Sequence, residues 1–253
     1  MALSGCSALP PRDDAPKTAP GDAGIAPAVS ITTGASRSGT GCRLEYSLYR
    51  PRQHSSGDLV VLGHGFLRSR KHMAGLALAL AADGIPVATL DYCNMRPWDG
   101  RHVQNGLDMI ALARALGAEH VVYAGFSAGA LAALVAARND PHAAGVVTLD
   151  LVDAGGIGRR AARGLGKPLI GLAGEPSNCN AEGNARRVFA HGGNTSMTRI
   201  AGAGHCDFEA PTDSLCQFLC RDPDAPAPSK RPDIIAAAKD AVHHVLASVK
   251  SEV

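Results

Sequence analysis

Gly125-Phe126-Ser127-Ala128-Gly129 stands between two runs of opposite character. Before it, His120-Val121-Val122-Tyr123-Ala124 is apolar and β-branched, which predicts a strand. After it, Ala130-Leu131-Ala132-Ala133-Leu134-Val135-Ala136-Ala137 is rich in strong helix formers. A G-x-S-x-G between strand and helix is the nucleophile elbow. Its turn is so tight that the serine is held in a strained conformation. Glycine before and after lets strand and helix pass closely. The Ser127 hydroxyl is then expected above the sheet, with the Ala128 N–H aimed where an oxyanion would form.

Working outward, the same alternation continues in both directions. Thr40 to Arg50 alternates apolar and polar residues and predicts an antiparallel edge strand. Asp58 to Leu62, Ile85 to Leu90, Gly145 to Leu149 and Pro168 to Leu172 are short apolar runs, the mark of strands buried on both faces. Met197 to Ile200 predicts the last strand. Helices are expected at Lys71 to Ala82, around Val103, Leu107, Ile110 and Ala111, at Asn184 to Ala190 and from Pro232 to about Val249. Ala154 to Gly166 reads as a loop or short helix. Strands alternating with helices predict an α/β fold: a mostly parallel central sheet with helices on both faces. Connections are short, so no large cap domain is expected.

Composition narrows the function. The chain has 253 residues, enough for one large domain, and 45% are apolar, enough for a sizeable core. A net charge of +2, with no basic tract and few aromatics, argues against nucleic acid as a partner. No apolar run approaches the ~20 residues of a membrane span.

The N-terminus reads differently. Residues 1–38 are rich in Pro, Ala, Gly, Ser and Thr without periodicity and are expected to form a disordered tether. The folded domain is expected over 39–253. Leu3-Ser4-Gly5-Cys6 resembles a bacterial lipobox, although only Met1-Ala2 precede it and no export signal stands upstream. Truncation at the chain start and an accidental match are both open. A lipoprotein of the periplasm or cell envelope, tethered at Cys6, is the reading adopted, with a cytoplasmic protein as the alternative.

Six further cysteines remain: Cys42, Cys93, Cys179, Cys206, Cys216 and Cys220. An even number in an exported chain predicts disulfides. The local pairs expected are Cys216–Cys220 and Cys179–Cys206. A zinc site from His205, Cys206, Cys216 and Cys220 ranks below this, because C-x3-C is not a usual knuckle and His205 has another role.

Over residues 40 to 250 the order of motifs resembles the α/β-hydrolase fold. The residues that carry it are Gly63-His64-Gly65-Phe66 after a strand, the serine elbow, Leu149-Asp150-Leu151-Val152-Asp153 and Gly204-His205. Within that fold the chain is similar to compact, capless serine esterases of the chlorophyllase, dienelactone-hydrolase-like and polyester-hydrolase kind. Chlorophyllases carry an arginine-type residue beside the serine, whereas Phe126 and Ala128 flank it here.

The resemblance implies a carboxylic ester hydrolase working through an acyl-enzyme, without cofactor or metal. Ser127 is the expected nucleophile and His205 the general base. Asp150 is the expected acid, with Glu175 and Asp153 as alternatives at neighbouring strand ends. The N–H groups of Phe66 and Ala128 are expected to form the oxyanion hole, His64 to support that loop, and Trp98 to line a pocket. The expected partner is a small or lipid-like ester met by a monomer. An acyltransferase with the same triad, or a catalytically silent binding protein on the same fold, are the alternatives.

Overall fold

Two short glycine approaches set the centre of the molecule. In this computed structural model, which describes residues 28–54, 57–93, 100–220 and 229–250, a Cβ on Gly125 would run into the backbone of Gly129. One on Gly129 would run into Gly63 and His64. Three backbones therefore meet there: the ends of β3 (Asp58–Gly63) and β5 (His120–Phe126), and the start of α3 (Ala128–Asn139).

Among the described residues eight strands form one sheet. The others are β1 (Val29–Arg37), β2 (Arg43–Pro51), β4 (Val87–Leu90), β6 (Ala143–Leu149), β7 (Leu169–Ala173) and β8 (Thr195–Arg199). Their order is β1-β2-β4-β3-β5-β6-β7-β8. From β4 to β8 every neighbouring pair is parallel, while β2 runs antiparallel to both β1 and β4.

Each buried strand feeds two cores because successive side chains point to opposite faces. Val61, Val121 and Tyr123 pack on one face with α2 (His102–Ala115), α3, α4 (Ile157–Ala162) and α5 (Arg186–Phe189). Val60, Leu62, Val122 and Ala124 pack on the other with α1 (Ala74–Ala82) and α7 (Arg231–Lys250). α3 is hydrophobic nearly all round and buried from Gly129 to Ala137, as befits a helix wedged between the sheet and neighbouring helices. α7 buries Ile234, Ala238, Ala241, Val242, Val245 and Leu246. No separate cap domain covers the sheet among the described residues.

The folded region begins earlier than the composition indicates. Residues 29–37, expected in the tether, form β1 and pair along their whole length with β2. β1 is exposed or half-buried at every position, so it lacks the alternation that marks a half-buried strand. β1, not β2, is the sheet edge.

The disulfides also differ from expectation. Among the described residues they are Cys42–Cys93, Cys179–Cys220 and Cys206–Cys216. Cys216 lies on a short helix, α6 (Ser214–Leu219), and Cys220 is its C-cap. Helical residues four apart hold their Cβ atoms about 5–6 Å apart, beyond the about 3.8 Å a disulfide needs. Each therefore bonds to another segment: Cys216 to the turn after β8, Cys220 to the loop after β7. The sulfurs of Cys206, Cys216 and Cys220 do lie within 4.8 Å of one another, but each is already bonded to a sulfur.

Candidate active site

Ser127 sits at φ +54°, ψ −117°, in the sharp turn between β5 and α3. Its own N–H is held by the Leu149 carbonyl of β6 at 2.9 Å, and its carbonyl accepts from Ala130 and Leu131. The backbone is over-determined on both sides, which is what keeps a non-glycine residue in such a conformation. The side chain makes no capping bond to α3, so its hydroxyl is available for something else.

That something is His205. The Ser127 hydroxyl lies 3.2 Å from His205 Nε2, within reach to donate to it. His205 Nδ1–H donates to Asp150 Oδ2 at 2.5 Å. All three residues are buried. Each follows the end of a strand: Ser127 and Asp150 directly after β5 and β6, His205 in the turn beyond β8. In a parallel sheet those ends lie on one side, so topology alone brings together residues up to 78 positions apart. The Phe126 ring lies against the imidazole with centroids 4.6 Å apart.

Asp150 is itself braced. It adopts φ +44°. Its Oδ1 accepts the Gly174 N–H at 3.0 Å, and the Asn180 amide donates to both carboxylate oxygens at 3.3 and 3.2 Å. Asn180 is buried, and its Oδ1 in turn accepts the N–H groups of Ser177 and Gly183. Nothing in the sequence singles Asn180 out: it is one polar residue in a turn-rich loop.

The alternative acids are occupied elsewhere. Glu175 accepts the Gly202 N–H at 3.0 Å and pairs with Arg199 at 3.4 Å, bracing the loop that leads to His205. Asp153 accepts the Gly158 N–H at 2.7 Å and pairs with Arg159 at the start of α4. The structure brings Asp150 alone of the three against His205.

The loop after β3 completes the site. Phe66 and Ala128, expected to supply N–H groups, both line the cavity of about 330 Å³ that opens on Ser127. Ala128 is the first residue of α3, and the first N–H groups of a helix have no intrahelical partner. The loop is anchored hard. Arg68 forks onto Glu209 at 2.6 and 2.7 Å and reaches Asp213 at 2.8 Å. The Arg68 guanidinium holds the Asp213 carboxyl well below the usual carboxylate range. Arg70 pairs with Asp91, and the Arg70 N–H donates to the same carboxylate at 2.7 Å. The loop is thus tied to the segment after His205 and to the end of β4. Trp98 lies outside the described residues, as do Cys6 and the first 27 positions.

His64 is structural, as its position implies. It is buried and donates from Nδ1 to the Gly65 carbonyl at 2.8 Å. Burial pushes its imidazole down from 6.5 to about 4. The consequence for stability has a definite sign. Between pH 6.5 and about 4 the unfolded chain takes up a proton at His64 that the folded chain refuses. Folding stability from this group is complete above pH 6.5 and is lost as pH falls toward 4, in all on the order of 3 kcal/mol. Urea unfolding of His64→Asn, whose amide keeps a donor for Gly65 but cannot titrate in this range, should show a shallower fall over that window. An unchanged pH slope would show that His64 is not buried neutral.

No protein-family model matches the sequence, and neither does any curated protein sequence. Solved structures do match. A dienelactone hydrolase from Anabaena variabilis is 17% identical, with TM-score 0.66, covering 86% of this chain and 98% of that one. The esterase domain of a Rhodothermus marinus protein is 18% identical, with TM-score 0.57, covering 70% and 90%. An alpha-beta serine hydrolase homologue from Coxiella burnetii is 15% identical, with TM-score 0.59, covering 69% and 88%. The chain has the α/β-hydrolase fold. At these identities the likeness shows the fold, and the chemistry rests on the residues.

Proposed function

We propose that this chain is a serine hydrolase that cleaves carboxylic esters through an acyl-enzyme. The observation that carries the reading is the buried relay from Asp150 through His205 to Ser127, opening on a cavity. Ser127 Oγ attacks the ester carbonyl carbon while His205 Nε2 takes its proton. Asp150 keeps the Nδ1–H tautomer and stabilises the imidazolium. The N–H groups of Ala128 and Phe66 receive the negative oxygen of the tetrahedral intermediate. The C–O bond to the alcohol then breaks, and His205 returns the proton to the departing oxygen. Water, activated by the same imidazole, releases the acid and restores Ser127.

The purified protein should hydrolyse a 4-nitrophenyl ester such as the butyrate, and His205→Ala should abolish that hydrolysis. Well-folded protein that turns over no ester would contradict the reading. A His205→Ala variant that keeps a tenth of the rate would remove His205 as the base.

We further read the protein as exported, and the lipobox-like Leu3–Cys6 as its envelope tether. Three disulfides within the described residues support an oxidising compartment.

A further inference from the structure

Two cavities meet at Ser127, and they differ in what else they hold. The first, of about 330 Å³, is lined by Ala128, Val152 and Ala154 but not by His205. The second, of about 160 Å³, is lined by His205, Phe126, Leu215 and Leu219 but not by Ala128. Phe66 and Cys179 stand between them and line both.

We infer that the second cavity receives the leaving alcohol of the ester and selects aliphatic alcohols. The inference rests on the serine-hydrolase reading above and goes on to name the substrate class. In that chemistry the Ser127 Oγ–carbon bond forms and the carbon–alcohol bond breaks. The Ser127 proton passes through His205 Nε2 to the departing oxygen, and water later cleaves the acyl–serine bond. The departing oxygen must therefore lie at His205, and whatever it carries extends into the cavity that His205 lines. With the alkoxy group at His205 and the carbonyl oxygen held by backbone N–H groups, the acyl chain is the remaining substituent and takes the other cavity, beside Ala128 and Val152.

The alcohol cavity is mainly apolar: Arg68 also lines it, but its guanidinium is held by Glu209 and Asp213. Its outer wall is α6, a helix of only six residues with Leu215 47%, Phe218 64% and Leu219 57% exposed. Phe66 and Leu67 are also exposed on the facing loop. So short a helix does not persist on its own. It is held at both ends: Asp213 caps Cys216 N–H and binds Arg68, Cys216 is bonded to Cys206, and Cys220 to Cys179. These anchors hold Leu215 and Leu219 at the cavity rim. A cavity of 160 Å³ accepts about five methylene-sized groups, taking about 30 Å³ for a water-sized unit.

The test uses two ester series with the full chain. One varies the alcohol from methyl to octyl on a fixed butyryl group. The other varies the acid from acetyl to octanoyl on a fixed methanol. In the alcohol series kcat/KM is expected to rise about fourfold per methylene, or about 0.8 kcal/mol each, and to level off beyond about five carbons. Leu219→Trp, at an exposed position where the fold tolerates bulk, should lower the octyl-to-methyl ratio at least tenfold. The octanoyl-to-acetyl ratio should not move. Val152→Trp, in the other cavity, should do the reverse. An alcohol series with no dependence on length, or a Leu219→Trp variant that shifts the acyl ratio instead, would overturn the assignment while leaving the hydrolase reading intact. Folded protein that cleaves no ester in either series would overturn that reading and the assignment with it.

Discussion

Ser127→Ala is expected to lower kcat for ester hydrolysis by about six orders of magnitude, to the level left by binding and the oxyanion donors alone. Among the described residues no other side chain stands where its hydroxyl does, 3.2 Å from His205 Nε2 at the mouth of both cavities. The fold should hardly notice. Ser127 caps no N–H of α3, and its turn is held by backbone bonds to Leu149, Ala130 and Leu131 that alanine keeps. Unfolding free energy should stay within about 1 kcal/mol of wild type. Steady-state assays on protein of unchanged melting temperature decide the matter. Retention of a tenth of the activity would remove Ser127 from the chemistry.

The second large effect concerns the acid. Asp150→Asn should cost about 10⁴ in kcat, because an amide facing Nδ1 favours the wrong imidazole tautomer. It should also cost stability. The new NH₂ group must face either His205 Nδ1–H or the Gly174 and Asn180 donors that the carboxylate now accepts. A lost partner there is worth about 1–3 kcal/mol, so rates must be compared on the folded fraction. Glu175→Gln should cost less than tenfold. Its carboxylate holds Gly202 N–H and Arg199, and reaches His205 only through the loop. If Glu175→Gln proves the more damaging change, Asp150 is not the acid.

The candidate site was more legible in the sequence than its supports. A nucleophile elbow demands glycine at fixed offsets, and buried strands demand apolar runs, so β3 to β7 and the positions of Ser127 and His205 could be read, whereas Asp150 stood beside Glu175 and Asp153 as one of three candidate acids. β1 could not be, because an edge strand solvated on both faces needs no hydrophobic pattern. Asn180 was hidden for a different reason. Its role comes from a contact 30 residues away with Asp150, and nothing local marks it. The cysteine pairs failed likewise. Nearness in sequence favoured Cys216 with Cys220, but helix geometry separates them and α6 hands each to a different loop. The hard anchors of the loop after β3, Arg68 on Glu209 across 141 positions, lie just as far beyond local pattern.

In the proposed function Ser127 is an activated nucleophile. A fluorophosphonate reacts with such a serine and ignores ordinary hydroxyls, so the decisive measurement is the mass of the intact protein after exposure to the probe, followed by peptide mapping. A single adduct on Ser127 is expected, its formation slowed in Asp150→Asn and absent in Ser127→Ala. Folded wild-type protein that carries no adduct, or one on another residue, would contradict it.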